Sequence, residues 1–227
     1  MIGWAGRDPR PRSGRDGGTG AAAILTQIAA DGIGLQLDMV RVEYGDTDLP
    51  FLAASVGSSG ATAGGNAVHV AVTGLREQLI AQAVADEGSP RPGAGPAAVT
   101  VTGGVMTGPD GSESYGQMLS RNFVPETDYL GSYQHQVGDD YALLNFGAQF
   151  AEVAVDADLG SVRRMVGVFA PGRVLNAKTA RSQLMGGMLW AGRRRCWRPP
   201  TWTRATGAGP TRAWGTTWCR STPTRPT

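Results

Sequence analysis

The sequence has little of what most enzymes use for chemistry. It holds two histidines, His69 and His135, and two cysteines, Cys196 and Cys219. Neither cysteine sits in a CxxC pair or beside a histidine cluster, so the spacing supports no metal ligation and no defined disulfide. Neither histidine has a nucleophile or metal-ligand partner at a recognisable spacing, and His69 falls in a helical stretch where a surface position is the simpler reading. No run of about 18 apolar residues occurs, which excludes an apolar membrane-spanning helix and leaves no membrane partner expected. The basic N-terminus has no apolar segment behind it, so no export signal is expected and the location read is cytoplasmic.

The last stretch lacks still more. Residues 192–227 contain no Val, Ile, Leu, Met, Phe or Tyr, and no Asp or Glu. A chain of that composition cannot build a packed core. Its eight arginines exceed the net charge of +2 for the whole chain, so residues 1–191 are net acidic beneath a basic tail.

What is abundant is glycine, at 34 of 227 residues and without a three-residue period. That excludes collagen and implies tight turns or close backbone approach to a ligand. A length of 227 residues with a 41% hydrophobic fraction suits one globular domain or two small ones.

Three zones follow: residues 1–15, rich in Arg, Pro and Gly, read as disordered or aberrant; residues 16–191 as folded; residues 192–227 as a disordered tail. In the middle zone, Ile24, Leu25 and Ile28 mark a helix over Ala21–Ala30, and Met39–Tyr44 alternates as a strand. A long helix is expected over Gly64–Glu87, with Val68, Val72, Leu75, Leu79 and Ile80 on one side. The cluster Gly88–Pro96 breaks the chain; a strand over Ala98–Val105, a turn at Gly108–Gly111 and a short helix around Tyr115–Arg121 follow. Leu143–Val155 and Val162–Phe169 read as antiparallel strands joined at Ala157–Gly160, and a last helix covers about Lys178–Trp190. Strands and helices without a regular βαβ spacing give an α+β fold.

Two small-residue stretches precede helices. Asp16-Gly17-Gly18-Thr19-Gly20 opens the first, where backbone N–H groups and the helix dipole favour an anion. An ordinary glycine turn explains the same residues, and no Lys-Ser/Thr follows as a Walker A loop requires. Gly57-Ser58-Ser59-Gly60-Ala61-Thr62-Ala63-Gly64-Gly65-Asn66 sets hydroxyls and small residues just before the longest helix, which suits a phosphate and also suits a packed turn. Gln183 lies with Gly186 and Gly187 in the last helix; glycines there cost about 1 kcal/mol each against alanine, which points to close packing or to a ligand. Glu43, Asp46 and Asp48 form an acidic cluster for which a solvated loop is the simpler reading.

Taken together, DGGTGAAAILTQIAADGIG (16–34), VRVEYGDTDLP (40–50), SVGSSGATAGGNAV (55–68), NFGAQFAEVAVDADLG (145–160) and LNAKTARSQLMGGMLW (175–190) resemble, in order, the molybdopterin-binding large subunit of the xanthine dehydrogenase/aldehyde oxidase family. The resemblance implies part of that family's molybdopterin-binding domain. It also implies oxidation or hydroxylation of aldehydes or N-heterocycles such as xanthine at a molybdenum centre on a pyranopterin, of the cytosine dinucleotide form. In the family, partner subunits carry [2Fe–2S] clusters and FAD, and the intact complex is in some members periplasmic. The family's cofactor grip falls here on Gly17, Gly18, Thr19, Gly20, Gly57, Ser58, Ser59, Gly60, Thr62 and Gln183. Many members have glutamine at the place of Thr19, and the family's catalytic glutamate, in a GxGE segment, has no counterpart in these 227 residues. No catalytic residue or direct metal ligand is therefore expected, and the chain alone is expected to be inactive. A non-catalytic cofactor-binding or assembly module is the other reading.

The tail fits a slipped reading frame. Trp and Cys codons constrain the bases, and a one-base shift through Thr216–Pro223 is compatible with D-Y-L-V-P-V-N-A, with Val after Leu forced by Trp218-Cys219. This resembles the family's continuation and places a single-base slip just after Trp190. A basic nucleic-acid-binding tail is the rival reading.

Overall fold

A computed structural model describes residues 17–45, 49, 55–90, 93–133, 145–155 and 160–197. The chain divides into two compact units, residues 1–138 and 139–227.

The first unit opens on helix α1 (Ala21–Ile33). It ends where Gly34 turns left-handed and its N–H, with that of Leu35, donates to the carbonyl of Ala30 at 2.9 and 3.0 Å. Helix α2 (Gly60–Ala85) starts four residues earlier than its apolar stripe suggests. Val72, Leu75, Leu79 and Ile80 are buried and Val68 half-buried, as the 3.6-residue period demands.

The two helices run parallel. Gly65 of α2 leaves room for Ile28 of α1, whose Cδ1 would stand 2.9 Å from an added Cβ, and Gly32 of α1 lies against Val72 of α2. Moving up one helix therefore moves up the other. Small residues at both contacts let the backbones approach, and residues 34–59 make the return that a parallel pair needs.

Residues 100–114 form a three-stranded antiparallel sheet in chain order: β1 (Thr100–Thr102), β2 (Val105–Gly108) and β3 (Gly111–Ser114). The single strand expected over Ala98–Val105 is thus corrected. Thr102 pairs with Val105, and Gly103 and Gly104 take φ of +58° and +78°, the two-residue turn that needs positive φ at both positions. Pro109 and Asp110 make the second turn, where expected, since Gly108 pairs with Gly111. Gly104 donates to the Gly34 carbonyl at 2.8 Å, which ties the sheet to the end of α1.

Helix α3 (Tyr115–Arg121) spans the expected residues and carries a capping box, with the Ser114 hydroxyl and the Gln117 side chain bonding each other's backbone N–H. Tyr115 and Met118 of α3, Met106 of β2, and Ile33, Val72, Leu75 and Leu79 of the helices make the core. Burial pushes the Tyr115 phenol up to about 12, and its O–H donates to the Ile33 carbonyl at 3.0 Å.

Met39–Tyr44 is corrected as well. Leu37–Met39 is a single 3₁₀ turn, and residues 40–44 alternate in burial but belong to no helix or strand and pair with no strand among the described residues. Alternation creates a face; a ladder needs a neighbour.

One charged cluster fastens α2 to β3 and α3. Arg121 pairs with Asp86, Nη2 to Oδ2 at 2.6 Å, and with Glu113, which is buried and also near the Ser89 hydroxyl. Donation from the Asn122 amide, the Arg121 guanidinium and the Gly88 N–H hold the Asp86 carboxyl down from 3.8 to about 2. A carboxyl lowered by folding stabilises the fold above its unfolded pKa and loses that contribution as pH falls through the folded one. Stability should therefore fall between pH 3.8 and about 2 through this group, and Asp86→Asn should flatten that part of the acid titration. Thermal midpoints across the range check this; an unchanged acid limb in the variant would remove Asp86 from the account.

In the second unit, β4 (Phe146–Val155) and β5 (Gly160–Ala170) form the expected antiparallel pair. A register shift at Glu152/Val153 leaves Arg163 as the extra residue, since Glu152 faces Arg164 and Val153 faces Val162. Helix α4 (Ala177–Trp197) begins at an Asn176 cap, whose Oδ1 accepts from the Thr179 N–H at 3.0 Å. It runs seven residues beyond the expected Trp190 into the arginine-rich stretch; arginine is a good helix former, whereas Pro199 and Pro200 are not. Residues 1–16 and 198–227 lie outside the described residues. Among the described residues, no helix is long and apolar enough to cross a membrane.

Candidate functional site

Parallel packing decides what the two glycine stretches can do. From the start of α1 to Ile28 is about 10 Å, and from the start of α2 to Gly65 about 8 Å, at 1.5 Å per residue. Ile28 and Gly65 are neighbours, so the two helix starts stand level at one end of the pair. Each start carries a partial positive charge of roughly half a unit. Side by side they make one electropositive end, lined by Gly17–Gly20 on one side and Gly57–Ser59 on the other.

Local conformation follows from residue type. Gly18 and Gly20 have φ of +74° and +83°, and Gly57 has +57°. Ser58 shares the left-handed region at +64°, an uncommon place for a residue with a Cβ. A Cβ at Gly18 or Gly57 would meet nothing within 4 Å, so the glycines serve the backbone turn and leave open space beside it. Gly60 differs, since the Ser55 side chain fills the place its Cβ would take. Ser55 thus buttresses the second loop. Nothing in the spacing singled it out, because only the fold brings residues 55 and 60 into contact.

Hydrogen bonding in α1 begins at the Ile24 N–H, which donates to the Gly20 carbonyl at 3.2 Å, and in α2 at the Ala63 N–H, which donates to Ser59 at 2.8 Å. The amides of residues 21–23 and 60–62 therefore have no acceptor within their own helices. Ser59 caps α2 without a side-chain bond to the first turn; its hydroxyl donates to the Val56 carbonyl at 2.7 Å.

The structure brings nine of the ten expected grip residues to this end: Gly17, Gly18, Thr19, Gly20, Gly57, Ser58, Ser59, Gly60 and Thr62. The stretch Gly57–Asn66 is not all loop, however. Gly60–Asn66 forms the first two turns of α2, so Thr62 is the third helical residue and Gly64 and Gly65 are buried in packing. Gln183 belongs to the other unit, exposed on α4. Beside it, a Cβ at Gly186 or Gly187 would meet nothing within 4 Å, so close packing within this chain does not account for those glycines.

His69 is exposed on α2, as expected, and His135 lies outside the described residues. Glu43 is exposed and pairs with Arg41 at 3.1 Å; Asp46 and Asp48 lie outside the described residues. Among the described residues, Glu113 is the buried carboxylate, and it is held by Arg121. No group of three or more metal-ligating side chains occurs among them.

This end thus carries two helix starts and left-handed glycines with open space beside Gly18 and Gly57. The chain matches the molybdopterin cofactor-binding domain family over residues 12–191. It is 36% identical over 177 residues to the aldehyde oxidoreductase molybdenum-binding subunit PaoC of Escherichia coli (strain K12), covering 76% of this chain and 22% of that protein. It is 31% identical over 186 residues to the probable hypoxanthine oxidase XdhD of the same strain, covering 78% of this chain and 18% of that one. The chain thus spans about a fifth of the length of these curated relatives.

Proposed function

The chain belongs to the molybdopterin cofactor-binding domain family of the molybdenum hydroxylases, and on that footing we propose that it holds the phosphate-bearing part of a molybdopterin cofactor between the starts of α1 and α2. The observation that carries this is the level, parallel placement of two glycine loops inside the family-matched stretch.

The amides of residues 21–23 and 60–62 are donors for phosphate oxygens, and Thr19, Ser58 and Thr62 add hydroxyl donors, while the Ser59 hydroxyl stays on the Val56 carbonyl and shapes the second loop. Gly18, Gly20 and Gly57 hold the backbone in the conformation that turns those loops. When bound, the molybdenum–pyranopterin group supplies the two-electron redox chemistry of C–H hydroxylation with oxygen from water. The ordinary division of labour applies: the cofactor carries the reaction, and the chain supplies placement and electrostatics.

The longer protein is a molybdenum-dependent oxidoreductase of aldehydes or N-heterocycles. Its cofactor is of the cytosine dinucleotide form, and its electrons pass to Fe–S and FAD partner subunits. These finer points rest on the family's pattern and on the printed roles of the two relatives as an aldehyde oxidoreductase subunit and a probable hypoxanthine oxidase. The 227 residues alone do not turn over, because the buried carboxylate among the described residues is tied to Arg121 and the family's glutamate segment has no counterpart here. The family match ends at residue 191, where the arginine-rich stretch begins, which supports a frame slip there.

The test is to express the chain in a host that makes the cofactor. Molybdenum content and aldehyde- or purine-dependent dye reduction are then measured on the purified chain. Molybdenum without turnover is the expected result. Turnover would overturn the claim of inactivity, and an absence of both molybdenum and pyrophosphate binding would overturn the claim of a cofactor grip. The coding DNA tests the slip: an uninterrupted frame through codons 190–227, with no family-like text in the alternative frames, would remove it.

A further inference from the structure

Among the described residues, two that are not glycine have positive φ: Phe123 at +55° and Ser58 at +64°. Phe123 is explained by its place. It follows the last turn of α3, where its N–H donates to the Ser120 carbonyl and the Val124 N–H to that of Leu119, a left-handed helix ending. Ser58 ends no helix. It is the second central residue of a tight turn in which the Ser59 N–H donates to the Val56 carbonyl at 3.1 Å. Gly57, the first central residue, is left-handed as well. Such a turn favours glycine at the second central position, which Gly104 occupies in the turn between β1 and β2. Before α2 a serine stands there instead.

For the turn itself, glycine would serve better, since the Cβ of an L-residue crowds the following carbonyl in this region. The Ser58 side chain is exposed, and no hydrogen bond engages its hydroxyl among the described residues. The hydroxyl of Ser59 is the one that supports the turn, on the Val56 carbonyl at 2.7 Å. Backbone held in a sparsely populated conformation points to a use for the side chain it carries. We propose that Ser58 is the anion-selecting side chain of the second loop, kept as serine at the expense of stability because its hydroxyl donates to a phosphate oxygen beside the open amides of residues 60–62. The inference rests on the phosphate grip and sharpens it. It divides the two serines, Ser58 for the ligand and Ser59 for the turn, and it sets binding against stability at one residue.

Ser58→Gly and Ser58→Ala in the 227-residue chain test it, read by the thermal midpoint and by affinity for inorganic pyrophosphate. Both remove the hydroxyl, and only glycine removes the Cβ that disfavours the left-handed region. Both should bind pyrophosphate about tenfold more weakly, for the loss of one charge-assisted hydrogen bond. Glycine alone should raise the midpoint, by roughly 2–4 °C, while alanine leaves it in place. Ser59→Ala should lower the midpoint, because it removes the bond that shapes the turn. A serine with a structural role only would move the two readouts together or move neither. Unchanged affinity in both Ser58 variants, beside an unsubstituted chain that binds, overturns the proposal and leaves the grip standing. A midpoint that fails to rise in Ser58→Gly overturns it as well. An unsubstituted chain that binds no pyrophosphate overturns the grip, and the role of Ser58 with it.

Discussion

Valine at both Gly18 and Gly57 should weaken retention of the cofactor by about a hundredfold, measured as molybdenum per subunit and as affinity for inorganic pyrophosphate in the chain expressed in a host that makes the cofactor. The two glycines have φ of +74° and +57°. A β-branched residue in the left-handed region costs roughly 1–2 kcal/mol, and 1.4 kcal/mol is a factor of ten in binding. The chain can avoid that cost only by turning the loop, which re-aims the amides that face the anion. Steric exclusion by neighbours does not contribute, because a Cβ at either site meets nothing within 4 Å. Asparagine tolerates the left-handed region, so Gly18→Asn with Gly57→Asn should recover most of the loss. Equal damage from asparagine and valine would mean that side-chain bulk in the ligand's space, and not loop conformation, is what matters. Undiminished retention in the valine variant would remove these loops from the grip.

Gly32→Leu should do damage of a different kind. Residue 32 lies about 17 Å up α1 from its start, far from either loop, at 1.5 Å per residue. Its Cβ position is taken by the Val72 side chain, which is fully buried. Overpacking of this sort costs typically 1–3 kcal/mol, so the thermal midpoint of the unit should drop by several degrees. The helices must also part or tilt, and the two helix starts then cease to stand level. Pyrophosphate affinity should fall with stability, although no ligand-facing atom has changed. Val72→Ala restores room, so the pair Gly32→Leu with Val72→Ala should be milder than Gly32→Leu alone, and a double-mutant cycle isolates the coupling. Lost stability with unchanged affinity would show that helix contact does not set the loop geometry.

Much of this fold was legible before any coordinates. The period of Val72, Leu75 and Leu79 gave α2, the span Tyr115–Arg121 gave α3, and the long apolar runs gave the β4–β5 pair. These are local signals, and the structure keeps them because burial rewards the same side chains that propensity selects. Three features were not legible, each for its own reason. Gly103-Gly104 divides what reads as one strand, since a glycine pair inside a β-rich run looks like a weak spot until the ladder shows a turn with both φ positive. Residues 40–44 alternate like a strand but have no ladder partner among the described residues, and pairing is never a property of one segment. Gly60–Ala63 read as loop beside Gly57, yet they open α2, and only the fold shows that Gly65 gives room to Ile28 in a helix contact. Composition is the same in both roles, and only the neighbour differs.

The sequence by itself determined the family and the α+β class, because five ordered segments carry glycine, hydroxyl and apolar patterns that chemistry reads without coordinates. Only the tertiary structure decided that the two glycine loops lie toward one end of a helix pair. Helices α1 and α2 pack parallel through Gly65 and Gly32, so their starts meet at the same end, whereas an antiparallel pair of the same two helices would have set the loops at opposite ends. The direction of packing depends on contacts between residues some 40 positions apart, and a segment read alone carries no record of them.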